Sequence, residues 1–289
     1  MQLALNLVVA AAPIILLGAG FSLIYSTSRF FHFAHGAVFL AAPYLTVAAL
    51  KLSGAPLAAA MALGVAGAAA VGALIEITAY APLRRRGATP VTLLLVSLGL
   101  YVVIQNAVSL IFGDRTLSFR PPQVPLGMEV LGGRVTTPQI ILVAASVSLV
   151  VALIIMLEWT SLGRAARALA QDFQLAGACG LDVDGVYLTV VTIGSFLAGT
   201  AGVLVAWDAD LTPGMALSPL MMAVVATVVG GVGRIPGVVG AAILVAGVQQ
   251  ASGWWLGARW GDVVTLGLLF VVLLVRPTGL VATAKSLEG

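Results

Sequence analysis

Long apolar runs, separated by short polar interruptions, dominate the chain. Nine such runs occur, at 5–27, 30–50, 55–80, 90–112, 138–157, 186–207, 216–233, 235–254 and 261–276. Most are close to the roughly 20 residues that an α-helix needs to cross a bilayer. The runs are continuous rather than alternating, which favours helices over a membrane barrel. The pattern predicts an all-α polytopic membrane protein with eight to nine transmembrane helices, some short or broken, in a single domain over 1–289.

The seventh and eighth runs form the ambiguous pair. They are short, and only Gly233-Arg234-Ile235-Pro236-Gly237 separates them. Either run could therefore be re-entrant rather than spanning, which is why the number of crossings is left at eight or nine.

Composition supports the membrane prediction. Hydrophobic residues make up 61% of the chain and charged residues 9%, and the mean hydropathy is +1.11. Soluble domains carry about 25% charged residues, so this chain cannot cover a water-facing surface of its own size. With so few charges, the net charge of +3 reports membrane topology rather than nucleic-acid binding. The single cysteine, Cys179, excludes an intrachain disulfide and a cysteine-based metal cluster.

The basic residues predict an orientation. No basic residue precedes Arg29, so the first run is expected to be a retained helix rather than a cleaved signal peptide. If the N-terminus is outside and all nine runs cross, nine basic residues are cytoplasmic and five are outside. The cytoplasmic set is Arg29, Arg84, Arg85, Arg86, Arg164, Arg167, Arg234, Arg276 and Lys285, and the outer set is Lys51, Arg115, Arg120, Arg134 and Arg259. We therefore predict an outer N-terminus and a cytoplasmic C-terminus.

Two loops are long enough to form structure of their own. The outer loop, Gly113–Thr137, is rich in Pro and Gly and is expected to be irregular, with a hairpin at Met128–Val135. The loop at about 158–185 contains good helix formers with basic residues about one turn apart. It predicts one or two short helices on the cytoplasmic surface.

Six short motifs follow one another along nearly the whole chain. They are Phe33-Ala34-His35-Gly36, Ser97-Leu98-Gly99 with Gln105-Asn106, 162–172 with 180–184, 197–204, 230–237 and 275–280. Their order and spacing resemble the LivH/LivM-type permeases of ABC importers for branched-chain amino acids, and the LivH-like subunit more closely. Two positions depart from the family pattern: His32 stands in place of Asn, and Arg234 in place of a small residue.

The resemblance implies a subunit of an importer in the bacterial inner membrane. Its partners would be a second, LivM-like permease subunit, two cytoplasmic ABC ATPases that bind ATP and Mg, and a periplasmic substrate-binding protein. Substrate would pass by alternating access through the interface of the two permeases. The chain itself has no G-x-x-x-x-G-K-[ST] phosphate loop. We therefore expect no ATPase site, no cofactor and no enzymatic activity on this chain.

Two alternatives stay open. The substitutions at His32 and Arg234 leave room for an importer of urea, short amides or other small carboxylates. An ion-coupled secondary transporter or channel is the alternative from another class. It would predict paired acids within several spans, and acids are nearly absent from the span centres here.

The cytoplasmic loop is the first candidate site. By resemblance it carries the helix through which the ATPase moves the membrane helices. Its predicted coupling residues are Arg164, Arg167, Asp172, Ala176, Gly177, Gly180 and Asp184. The alternative is an ordinary basic inner loop that only sets orientation.

Glycine-interrupted segments in both halves form the second candidate site, because broken helices mark the substrate path in many transporters. The candidate path residues are His35, Gly36, Ser97, Gln105, Asn106, Gly230, Gly231 and Gly233. Each has a structural alternative: glycines permit close helix packing, His35 could hold the bend after the first span, and polar side chains could bond between helices. Close packing is also the interpretation favoured for Ala198, Gly199, Gly202 and Gly253-x-x-x-Gly257.

Two further features are considered as possible sites: a histidine pair and a deeply placed acid. His32 and His35 are three residues apart, but no third ligand is evident, so we expect no metal site. Glu76 is the most deeply placed acid. It is either functional, as intramembrane acids often are, or it snorkels towards Arg84–Arg86.

Overall fold

The protein is a bundle of apolar helices, seen in a computed structural model that describes residues 1–119, 127–130 and 132–276. Seven helical stretches in these ranges are long and apolar enough to cross a membrane. They are Gln2–Ser28 (α1), Ala34–Ser53 (α2), Leu57–Arg85, Pro90–Phe112 (α5), Thr137–Trp159 (α6), Val183–Asp208 (α9) and Ile235–Trp255 (α11). The third stretch consists of Leu57–Ile75 (α3), a π-helical segment at Glu76–Tyr80 and Ala81–Arg85 (α4).

Two shorter apolar helices, Leu217–Gly230 (α10) and Gly261–Val275 (α12), account for the remaining predicted runs. The prediction of an all-α polytopic protein with some short or broken helices is confirmed. Within the ambiguous pair, only α10 is short, because Gly231 ends it with a φ of 94°. The second short helix is α12, which follows a 3₁₀ turn at Ala258–Trp260.

The two long loops are partly ordered as predicted. A hairpin joins Met128–Val130 (β1) to Gly133–Val135 (β2), with Met128 opposite Val135. The second loop contains two short helices, Ser161–Gln171 (α7) and Phe173–Ala178 (α8). Both local predictions are confirmed.

Helices α1, α2 and α9 form the core, whereas α3, α5 and α6 turn many apolar side chains outward. Small residues bring the core helices together: a Cβ on Gly202 would lie 2.1 Å from the Phe39 carbonyl oxygen, and one on Gly199 would lie 2.6 Å from the Ala68 Cβ. Close helix packing, the interpretation favoured for Gly199 and Gly202, is thus supported. It is wrong for Gly253 and Gly257, whose added Cβ atoms would meet nothing within 4 Å, because Gly257 lies in the turn after α11.

Five arginines of the predicted cytoplasmic set line two clefts at one end of the bundle, here called the arginine-rich end: Arg29, Arg84, Arg85, Arg167 and Arg234. At the opposite end, Arg134 donates to Gln2, Thr136 donates to Asp208 (3.1 Å), and Leu117 pairs with Leu211. Arg120, Lys285 and the motif residues 277–280 lie outside the described residues.

Candidate coupling and transport site

Side-chain caps divide the loop at 158–185 into defined helices. The Thr160 hydroxyl accepts from the Gly163 N–H (3.2 Å) at the start of α7. Asp172 Oδ1 accepts from the N–H groups of Gln174 (2.8 Å) and Leu175 (3.0 Å), which ends α7 and starts α8. Asp182 caps α9 in the same way. Because each helix start is satisfied locally, α7 and α8 form a structured unit, here called the coupling segment (Ser161–Ala178).

Arginines attach this segment to α1 and α6, and a further arginine attaches the start of α9 to α4. The Arg29 guanidinium, just after α1, donates to the Ala170 carbonyl in the last turn of α7. Arg167 donates to the Leu157 carbonyl in the last turn of α6. Arg85 forms an ion pair with Asp184 (2.8 Å) at the start of α9. Cations at helix C-termini also interact favourably with the helix dipole. Of the predicted coupling residues, Arg167 holds the segment and Asp172 shapes it, whereas Asp184 holds the start of α9 and Arg164 is exposed.

The α8 surface combines buried and exposed positions. Ala176 faces inward and its carbonyl accepts from the Leu181 N–H (3.1 Å), whereas Gly177 and Gly180 are exposed. Two large apolar side chains that sequence reasoning missed, Phe173 and Leu175, are 56% and 63% exposed. Exposure of these apolar side chains to water is unfavourable, so the pair at the arginine-rich end is suited to contact with a protein partner.

The connection from α1 to α2, here called the α1–α2 break (Arg29–Phe33), returns into the bundle. His35 Nε2 lies 3.2 Å from the carbonyl oxygen of Leu17, which is about three helical turns before the end of α1. Helix α2 therefore starts deep inside the bundle, where the His35 and Gly36 N–H groups donate to the carbonyls of His32 (3.1 Å) and Phe33 (3.0 Å). The Ala34 N–H donates to Ser97 Oγ (3.1 Å), and the Ser97 hydroxyl donates to the Phe31 carbonyl (3.4 Å). The structure thus brings His35 and Ser97 together around a buried helix start.

Aromatic rings surround this start. The His32 ring lies edge-on to Tyr80 with centroids 5.1 Å apart, and 6.0 Å from the His35 ring. Both His32 nitrogens and His35 Nδ1 are buried without a hydrogen-bond partner in the described part of the chain. Gly36 lets α10 approach, because a Cβ there would lie 2.8 Å from Leu220 Cδ2.

The second glycine segment forms a tight turn, here called the α10–α11 turn (Gly231–Arg234). Gly231 and Gly233 have positive φ angles of 94° and 78°. The Gly233 N–H donates to Ser22 Oγ of α1 (3.0 Å). A Cβ on Gly230 would lie 2.4 Å from the Gly237 carbonyl group, so the start of α11 packs directly on the end of α10.

Motif residues 33–36 and the α10–α11 turn both contact α1 within Leu17–Ser22, but residues 33–36 line neither of the two clefts at the arginine-rich end. A cleft of about 750 Å³ is lined by Arg29, Arg167 and Gly233, and neither it nor the second cleft is lined by His35. Gln105 and Asn106 also lie apart from the buried helix start. Asn106 is exposed on α5 and donates to the Val102 carbonyl of its own helix (2.7 Å).

Glu76 lies in the π-helical segment and is 2% exposed. Its carboxylate forms a salt bridge with Arg84, whose guanidinium also stacks 3.9 Å from the centre of the Tyr187 ring. The salt bridge agrees with the alternative in which Glu76 snorkels towards Arg84–Arg86. Tyr187 was not singled out from the sequence.

These observations define a polytopic helical membrane protein with a structured segment at one end and a broken helix in its core. Over 96% of its length the chain resembles a solved structure, PsaBC from Streptococcus pneumoniae in complex with Fab, with a TM-score of 0.53, 12% identity and 93% of that chain covered. At this level of identity the likeness shows the fold alone.

The sequence profile of the branched-chain amino acid transport system / permease component family matches residues 3–273. This chain belongs to that family, as its motifs predicted. It is 30% identical to the high-affinity branched-chain amino acid transport system permease protein LivH of Escherichia coli K12, over 97% of this chain and 94% of LivH. It is 31% identical to BraD of Pseudomonas aeruginosa, a permease protein of the same description, over 92% of this chain and 90% of BraD.

Proposed function

We propose that this chain is the LivH-like permease subunit of an ATP-driven importer for branched-chain amino acids. The observation that carries the proposal is the end-to-end similarity to LivH and BraD, both named as branched-chain amino acid permeases. The other components of the proposed importer are a LivM-like permease, two ABC ATPases that bind ATP and Mg, and a periplasmic substrate-binding protein. The chain lies in the inner membrane with its arginine-rich end in the cytoplasm, as the positive-inside rule predicts.

The coupling segment supports ATP-driven transport. It is capped and attached by arginines to α1 and α6, and it presents Phe173 and Leu175 to the outside of the bundle. A partner ATPase that binds this apolar pair can move α7 and α8 as a unit. Since the chain has no phosphate loop, ATP hydrolysis is assigned to that partner.

The substrate path runs along the interface with the second permease, close to the buried start of α2. A helix start within the membrane presents the positive end of its dipole to an amino-acid carboxylate. Helices α3, α5 and α6 have apolar outward faces that suit either lipid or the second permease. Alternating access then consists of rocking of the two subunits.

Uptake of radiolabelled leucine into proteoliposomes tests the proposal, with the chain assembled with its permease, ATPase and binding-protein partners. Leucine uptake that requires both internal ATP and the binding protein is expected. Phe173→Ser combined with Leu175→Ser should abolish it by weakening the ATPase contact, whereas Met128→Ser, at the exposed hairpin of the opposite end, should have no effect. ATP-dependent uptake of urea or an amide in place of leucine would contradict the substrate. Uptake driven by an ion gradient without ATP would contradict the whole assignment.

A further inference from the structure

An ionic cluster connects the start of α9, which follows the coupling segment, to the third span. Arg84 Nη1 lies 3.3 Å from Glu76 Oε2, and its Nη2 lies 3.8 Å from Asp184 Oδ1. The guanidinium also stacks on Tyr187 of α9, whose hydroxyl donates to the Thr27 carbonyl at the end of α1 (3.3 Å). Arg84 therefore contacts the π-helical segment and the first turns of α9, which directly follow α8.

The π-helical segment extends this connection towards the α1–α2 break. It begins at Glu76 and ends at Tyr80, which is fully buried. The Tyr80 ring lies 5.1 Å from both the Phe30 and the His32 rings, centroid to centroid. The acid that binds Arg84 and the ring that packs against the break are thus the two ends of one five-residue segment. π-Helical turns are rare and occur frequently at functional sites.

We propose that Arg84 is a positioning residue that transmits movement of the coupling segment to the buried start of α2. The inference rests on the proposed function, since it assigns a route by which ATPase movement reaches the transport path. When α9 moves with the coupling segment, Arg84 carries Glu76 with it, and the π-helical segment shifts Tyr80 against the break. No direct contact between the coupling segment and α2 is needed.

The simpler role of Arg84 is to neutralise a buried acid. A buried carboxylate without its partner is costly, so single neutral variants at Glu76 or Arg84 destabilise the protein under either role. Removal of both charges separates the two roles, because a neutral pair of similar volume is often tolerated in place of a buried ion pair. Neutralisation alone predicts a double variant that folds and transports. Transmission predicts a double variant that folds and hydrolyses ATP but imports much less leucine for each ATP hydrolysed.

The experiment compares the assembled wild-type complex with Glu76→Gln/Arg84→Met, with Arg84→Lys and with Arg86→Gln. Arg86 is the matched control, because it is exposed, belongs to the same arginine block and lies outside the cluster. ATP hydrolysis and leucine uptake are measured in the same proteoliposomes, and their ratio gives the coupling. Monodispersity in detergent confirms that each complex is folded and assembled.

The double variant should keep its ATPase activity while the ATP hydrolysed per leucine imported rises by about tenfold, within the range typical of coupling between sites. Arg84→Lys should be partly uncoupled, because lysine keeps the charge but loses the bidentate contact and the stacking. Arg86→Gln should match the wild type. Wild-type coupling in the double variant would overturn the role of Arg84. Absence of ATP-dependent uptake in the wild type would instead overturn the proposed function.

Discussion

The α1–α2 break and the α10–α11 turn both join two apolar helices, yet they are built differently. The break contains no glycine, since Gly36 lies inside α2. Beyond the exposed Arg29 it is buried, with Phe30 and His32 at most 3% exposed, and it delivers a helix start to the middle of α1. The turn is partly exposed at Val232 (40%) and uses positive φ angles to reverse the chain at the arginine-rich end. A glycine in an apolar run thus does not by itself indicate where a helix ends or how deep in the membrane it ends.

This difference matters for function. The buried start of α2 satisfies its Ala34 N–H with the Ser97 side chain and its next N–H groups with backbone carbonyls of the break, and the His32 nitrogens have no partner in the described chain. Such a site is adaptable, because its polar groups have few fixed partners. The α10–α11 turn is backbone packed on backbone, with little freedom to move. We therefore assign the transport role to the break and a structural role to the turn.

The largest expected effect is that of Gly230→Ala. The new Cβ would lie 2.4 Å from the Gly237 carbonyl carbon and oxygen, and backbone cannot move aside without displacing α11. Overpacking of this kind costs about 1–3 kcal/mol or more, so folded protein should be lost at a clearly lower temperature in a detergent melt. Gly240→Ala is the control, since its Cβ would meet nothing within 4 Å. Equal melting of the two variants would contradict the rigid turn.

Ser97→Ala should have an intermediate effect. It leaves the buried Ala34 N–H without its acceptor, which costs about 1–3 kcal/mol. Leucine uptake should fall further than this loss of stability explains, because the start of α2 is no longer held. The measurement is uptake per folded complex, with the folded fraction determined by size-exclusion chromatography. Wild-type uptake per folded complex would show that the break has no transport role.

The smallest effect is expected for Ser22→Ala. This variant removes the acceptor of the Gly233 N–H, but Gly233 is exposed and water can replace the hydroxyl. The melting temperature should change by less than in Ser97→Ala, and uptake per folded complex should stay at the wild-type level. A loss of uptake as large as that of Ser97→Ala would remove the distinction between the two segments.

Much of the helical architecture could be predicted from the sequence. The apolar run at 90–112 coincides with α5, and the hairpin and the two short helices of the coupling segment were expected in their observed places. Hydrophobicity and turn residues are local signals, so they define local elements well.

The contacts that make up the site could not be predicted in this way. Ser97 forms a hydrogen bond with Ala34, which is 63 residues away in the sequence, and Arg85 forms one with Asp184, which is 99 residues away. These contacts depend on how the helices pack, which no local pattern encodes. Ser97 was predicted either to line a polar path or to bond between helices; its hydrogen bond to Ala34 is of the second kind, and its partner became visible only with the fold. The depth of α2 was equally hidden, since the run at 30–50 includes the break itself.

The most direct test of the transport role of the break uses two cysteine variants in a Cys179→Ser background, which removes the only native cysteine. Ser97→Cys reports on the break and Ser22→Cys on the α10–α11 turn. Their labelling rates by a small thiol reagent are measured in the assembled complex, without nucleotide and during ATP turnover. We predict that labelling at position 97 accelerates during turnover while labelling at position 22 does not change. Labelling at position 97 that is equally slow in both states would contradict the account.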